Sequence, residues 1–162
     1  MAKDPDTRPL DRIDRKILDL LQEFGRLTNV ELARAVNLSP TPCLERVRRL
    51  ERAGYITGYG AHLDPAKVGA GLLVFLQVTL DRTTPKVFEQ FKLAVYRMPE
   101  VQECHMVAGG FDYLLKVRVA DMPAYRRALG DKLAALPGVL QTSTYVVMEE
   151  VKNVQALPIP EA

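Results

Sequence analysis

The most reactive chemistry in this chain sits in one short stretch, Ser39 to Arg52 (SPTPCLERVRRLER), which carries four arginines at 46, 48, 49 and 52. A guanidinium grips phosphate or a guanine edge through paired N–H bonds, and Ser and Thr hydroxyls can contact phosphate or base edges. Read as a helix at 100° per residue, Thr41, Pro42, Glu45, Arg48, Arg49 and Arg52 point one way with Arg46 on the flank. Leu44, Val47 and Leu50 point the other way, with Cys43 at the edge of that arc. The plainer alternative is a solvated amphipathic helix with an ordinary Glu45–Arg49 pair at i, i+4.

The preceding residues favour the DNA reading. Asn29 to Gly54 (NVELARAVNLSPTPCLERVRRLERAG) reads as two helices joined by a tight turn. Val30, Ala33 and Val36 form an apolar stripe on the first helix, and Asn29 is expected to cap it. In the turn, Asn37 tolerates a left-handed conformation and Leu38 can tuck inward. Ser39 is placed as the cap of the second helix, with Pro40 at its first position, where a missing N–H costs nothing. Helix, turn, helix is the arrangement whose second helix enters the DNA major groove.

Other reactive residues lead nowhere comparable. There are two cysteines, Cys43 and Cys104, and two histidines, His62 and His105, with no spacing that suggests a metal site or disulfide framework. Cys104 and His105 are adjacent but would face opposite sides of a strand, so they form no nucleophile–base pair. Both cysteines read as buried, small apolar residues of a reducing compartment. No catalytic residue and no metal ligand is assigned. The chain has 162 residues, 48% hydrophobic and 26% charged, enough for one medium domain or two small ones. Net charge is only +2, so any nucleic-acid signal lies in local clustering. A polar start and the absence of a long apolar run predict a cytoplasmic protein with no membrane partner.

Residues 1–9 read as a flexible arm and 10–63 as the DNA-binding domain. A first helix buries Ile13, Ile17, Leu18, Leu20, Leu21 and Phe24, with Asp11 or Asp14 as cap and Gly25 as its left-handed stop. Tyr55 to Leu63 reads as a strand, a wing or connector, and 64–71 as a linker. Residues 72–152 then alternate strand and helix: strand 72–80, helix 85–98, strand 101–107, a glycine turn, strand 112–119, helix 123–136 and strand 139–149. The second helix is expected to face inward with Tyr125, Leu129, Leu133 and Leu136. The order β-α-β-β-α-β is the ferredoxin-like split βαβ arrangement. One sheet face is left apolar and uncovered, which predicts oligomerisation. Residues 153–162 are read as a tail.

LDRIDRKIL, GRLTNVELA, NLSPTPCLERVRRLERAGYI, GGFDYLLKV and TYVVMEE together resemble the Lrp/AsnC family of prokaryotic transcription regulators, and SPTPCLERVRRLE, QECH and TYVVMEEVK resemble its leucine-responsive branch. The likeness runs from Leu10 to Lys152. It implies an α+β chain: an N-terminal winged helix-turn-helix plus a C-terminal ferredoxin-like βαββαβ domain, called RAM for regulation of amino-acid metabolism. It implies contact with double-stranded DNA through Asn29, Ser39, Pro40, Thr41, Pro42, Glu45, Arg46, Arg48 and Arg49. It further implies homodimers assembling to octamers or higher, no cofactor, and a free amino acid, leucine or another aliphatic one, as effector. The effector site would comprise Gly109, Gly110, Phe111, Asp112, Tyr113, Tyr145, Val146 and Val147. By itself GGFD reads as a hairpin turn in which glycine supplies positive φ. With the resemblance, its backbone N–H groups can hold a carboxylate and Asp112 an ammonium. The competing reading is an architectural DNA-wrapping protein with no small-molecule input. An enzyme would need a convergent catalytic set, which the sequence lacks.

Overall fold

The computed structural model describes residues 8–160, apart from 83, 131, 133 and 134 and the side chains of 128 and 129. It divides into two compact units: a head made of residues up to His62 together with the segment from Lys152 onward, and a sheet unit, Leu63–Val151.

The head begins with α1 (Arg12–Glu23), started by a reciprocal capping box. The Asp11 carboxylate accepts from the Asp14 N–H at 2.8 Å, and the Asp14 carboxylate accepts from the Asp11 N–H at 3.1 Å. The helix stops at Phe24, which is 49% exposed rather than inward. Gly25 does not take the left-handed conformation expected of it; among the described glycines only Gly54, Gly69 and Gly138 do. Helix α2 (Asn29–Ala35) is capped one residue earlier than expected, by Thr28 in a capping box with Glu31. Asn29 instead sends its side-chain amide to the Pro40 carbonyl at 2.8 Å, tying α2 to α3 (Pro40–Arg52). Val30 is off the core stripe, 54% exposed.

Helices α2 and α3 end by the same device. After α2, Asn37 takes φ 57°, its N–H reaches the Arg34 carbonyl, and the Leu38 N–H reaches Ala33 at 2.9 Å. After α3, Gly54 takes φ 74°, its N–H reaches Glu51, and the Tyr55 N–H reaches Leu50 at 2.9 Å. Both are Schellman motifs, one built on asparagine and one on glycine. Ile17, Leu18, Leu32, Ala33, Val36, Cys43 and Leu50 form the core beneath, with Leu38 packed at its edge. Residues 56–64 carry no strand, contrary to the expectation for Tyr55 to Leu63. Instead the Tyr59 hydroxyl donates to Glu51 at 2.9 Å, pinning this segment to α3. Residues 153–160 return to the head: Gln22 exchanges two hydrogen bonds with the Leu157 backbone, and Ile159 packs on the helical core.

The sheet unit has four strands, β1 (Leu72–Leu80), β2 (Val101–Met106), β3 (Tyr113–Val119) and β4 (Val139–Val146), in the order β2-β3-β1-β4, all pairs antiparallel. This is the ferredoxin-like order. Helix α4 (Pro85–Tyr96) starts at its Thr84 cap as expected. The second helix, expected over 123–136, starts as α5 (Met122–Tyr125), passes at once into a π-helical turn, Arg126–Gly130, and is α-helical again at Lys132. Leu129 and Leu133 lie outside the described side chains; Leu136 is buried and Tyr125 half-buried. Alternation sends Val74, Leu76, Val78 and Leu80 toward the helices, against Phe91, Val95, Tyr113 and Leu115. The opposite face is mixed rather than apolar: Phe75 and Leu114 sit among Gln77, Lys116, Arg118 and Glu103.

Candidate nucleic-acid interface and ligand surface

Helix α3 presents Ser39, Pro40, Thr41, Glu45 and Arg48 to solvent, with Pro42 and Arg46 half-buried. Thr41, Glu45 and Arg48 follow i, i+4, i+7 spacing and so lie along one stripe. Ser39 occupies the N-cap position, yet its hydroxyl makes no capping bond, so the fold leaves that oxygen unused. Arg48 has no ion-pair partner among the described residues.

Arg49 does not point outward with Arg48. Only 7% of it is exposed, and its Nη2 lies 2.5 Å from the Asp14 carboxylate on α1. Asp14 is itself 1% exposed and receives a second arginine, Arg46, at 2.7 Å. The same Arg46 Nη1 lies 2.6 Å from Asp11. Burial alone would raise the Asp11 pKa, but the Asp14 amide and the Arg46 guanidinium outweigh it and hold the carboxyl below its ordinary value. These groups, with Arg8, Pro9, Pro42 and Glu45, line a cleft of about 270 Å³ between α1 and α3. The helical wheel missed Arg49 because it treats α3 in isolation. A signal was present on α1, where Asp14 falls on the face of Ile17 and Leu18. A carboxylate on a buried stripe needs a cationic partner.

In the sheet unit the expected effector residues separate. Tyr113 is not a lining residue: it is 2% exposed and its ring packs against Phe91, centroids 4.5 Å apart. Strand alternation with Leu115 and Val117 places it inward. Asp112 closes the β2–β3 hairpin onto β1: its carboxylate accepts from the Leu80 N–H at 2.7 Å, and its own N–H donates to Val78 at 2.9 Å. Gly109 and Gly110 are exposed, and neither takes a positive φ, which removes the turn-geometry explanation for them. A Cβ at either position would meet nothing within 4 Å. Phe111 is half-buried beside them.

Tyr145, Val146 and Val147 lie elsewhere. The hairpin end of β3 pairs Tyr113 with Val78, whereas Tyr145 pairs with Phe75 and Val146 with Val74 on the other flank of β1. The two groups are therefore roughly 10 Å apart along β1 and another ~10 Å across it. Tyr145 is on the open face, its hydroxyl 3.3 Å from Gln77, while Val146 faces the other way and Val147 binds the Leu73 carbonyl. One chain does not gather these residues into a single site.

Among the described residues no cluster of His, Cys, Asp and Glu could hold a metal, and no helix is long and apolar enough to cross a membrane. Cys43 is buried, but Cys104 is exposed on edge strand β2, contrary to expectation. Desolvation pushes both thiols above their ordinary value, which disfavours the nucleophilic thiolate.

A helix-turn-helix with an open polar stripe, followed by a ferredoxin-like unit, defines a DNA-binding transcription regulator with a separate ligand-binding part. The family models agree in both halves: residues 10–57 match a winged helix-turn-helix DNA-binding domain and residues 73–157 the Lrp/AsnC ligand binding domain. The chain belongs to the Lrp/AsnC family. It is 62% identical over 152 residues to the leucine-responsive regulatory proteins of Escherichia coli K12 and Salmonella typhimurium LT2, covering 94% of this chain and 93% of each relative. Among solved structures, a transcriptional regulator from Neisseria meningitidis in complex with L-Met superposes with a TM-score of 0.88 at 42% identity, covering 93% of this chain and 97% of that one. An AsnC family regulator from Agrobacterium tumefaciens gives 0.88 at 36% identity, covering 92% and 97%.

Proposed function

We propose how this DNA-binding, amino-acid-responsive transcription regulator joins its two halves. Helix α3 enters the major groove and presents Ser39, Thr41, Glu45 and Arg48 to phosphates and base edges. The effector is a free amino acid, with leucine or another aliphatic one the leading candidate, since the relatives above include leucine-responsive proteins and an L-Met complex. Its site is completed between copies of the chain. The observation that carries this is the separation of Gly109–Asp112 from Tyr145–Val147 on opposite flanks of β1. A second copy can lay its own β4 end against the hairpin, so a homo-oligomer supplies both walls. Open space over Gly109 and Gly110 fits the same picture, because backbone N–H groups there are accessible to a carboxylate.

On this reading the amino acid binds one assembly state better than another and shifts DNA occupancy accordingly, with no catalytic step. The protein works in the cytoplasm, where its operators and the amino-acid pool are. The first test is thermal unfolding against the twenty amino acids at millimolar concentration, since a ligand bound only by the folded state raises the midpoint. A clear rise with one aliphatic amino acid, lost when the protein is diluted to monomer, supports the site between copies. A rise that persists in the monomer rejects that placement. No rise with any amino acid supports a DNA-wrapping protein without this input.

A further inference from the structure

The cationic charge that α3 offers to DNA is smaller than its sequence implies, and two carboxylates on α1 set it. Asp14 is almost wholly enclosed and meets both Arg46, at 2.7 Å, and Arg49, at 2.5 Å. Asp11 adds a second anion on Arg46 at 2.6 Å. The capping box fixes both carboxylates at the start of α1, so they do not follow the arginines outward. Arg49 also has its Nη1 buried with no hydrogen-bond partner, so the guanidinium is held inward even at the expense of one donor. Its neighbour Arg48 is exposed.

We propose that Asp14, helped by Asp11, is a specificity-determining positioning residue for DNA binding. It keeps Arg46 and Arg49 from the phosphates, so that this part of α3 meets DNA through Arg48 and the hydroxyls rather than through three adjacent cations. The proposal rests on the placement of α3 in the groove. Its physical basis is the sequence-independence of phosphate binding. Every mobile cation that neutralises a phosphate tightens binding to any DNA and steepens its salt dependence by about 0.9 in log K against log salt. A regulator must find its site among a vast excess of other DNA, so the ratio of specific to non-specific affinity matters more than affinity itself. Two internal counter-anions raise that ratio while still leaving the arginines to brace α1 against α3.

The test is fluorescence anisotropy of the full chain across a salt series. It uses a duplex selected by this protein from a random pool and a scrambled duplex of equal length. For Asp14→Asn, scrambled-DNA binding is expected to tighten about tenfold at low salt, its slope to steepen by about 1–2, and the selected-to-scrambled ratio to fall about tenfold. Asp14→Glu, which keeps the charge, should restore the parent slope. A merely structural role would weaken both duplexes without steepening either slope, and that result overturns the proposal. Should Asp14→Asn fail to fold, Arg49→Met decides. Unchanged slopes support the proposal, and a slope shallower by about 0.9 shows Arg49 on a phosphate and overturns it. Arg48→Ala run alongside separates the two readings. If it leaves both duplexes untouched, the placement of α3 in the groove has failed, not the charge lock.

Discussion

The head and the sheet unit meet their requirements in different ways. In the head, two helix starts, two helix stops and the buried Asp14 carboxylate are satisfied by residues of the same unit: two capping boxes, two Schellman turns, and Asp14 closed by two arginines. The sheet unit has a complete core on one side only. Its other face mixes Phe75 and Leu114 with ion pairs such as Lys116–Glu103 at 2.8 Å, and its expected ligand residues stand on opposite flanks of β1. Local chemistry can specify the first region within one chain. On the function proposed above, the second is completed by another copy of the chain.

That contrast can be broken most forcefully at Leu50, which is fully buried in the head. Leu50→Ala should remove about 2–5 kcal/mol from the head and abolish DNA binding. Chromatography should still show the parent oligomer; its loss would mean that the head is not energetically separate. A smaller effect is expected at Asn37. Asn37→Val places a β-branched residue at φ 57° and should cost about 1–2 kcal/mol by thermal unfolding, whereas Asn37→Gly should not destabilise. Equal midpoints for both variants would remove the left-handed cap from the account.

Acid provides a third probe. Because the folded Asp11 carboxyl titrates below its ordinary 3.8, its contribution is fully present above that pH and fades as pH falls through the folded value. Asp11→Asn should therefore lower the head's stability modestly at neutrality, and the gap to the parent should close as pH falls below about 4, which flattens the variant's acid limb. An identical acid limb in parent and variant would contradict this. The gentlest change concerns the sheet unit. Gly110→Ala meets no neighbouring atom and needs no positive φ, so it should alter unliganded stability by less than about 0.5 kcal/mol. It should nevertheless weaken the amino-acid response. A full response in that variant would take the β2–β3 turn out of the ligand site.

What the sequence made legible follows the same division. Asn37-Leu38-Ser39-Pro40 and the β-α-β-β-α-β rhythm were readable because turn chemistry and side-chain period are local signals. Arg49 was not, since its direction depends on a carboxylate 35 residues earlier in the chain. Tyr113 belongs by its alternation with Leu115 and Val117 to the inward face of β3, a strand signal that the adjoining GGFD motif overlaps and masks. The strand expected at Tyr55 to Leu63 has β-forming residues, but glycines at 58 and 60 interrupt it and no neighbouring strand pairs with it. The second helix widens after Tyr125 into a π-helical turn, Arg126–Gly130, for which residue periodicity offered no warning.

The return of the chain to the head has a consequence for synthesis. Helices α1 to α3 are complete by Arg52, but Leu157 and Ile159, which bind Gln22 and cover part of the helical core, come roughly 100 residues later. At about 5–20 residues per second, that is a wait on the order of 5–20 s on the ribosome. During that interval the sheet unit is synthesised, while the head's apolar edge stays uncovered. The head of a nascent chain therefore has an open seam for that interval, until Leu157 and Ile159 become available to it.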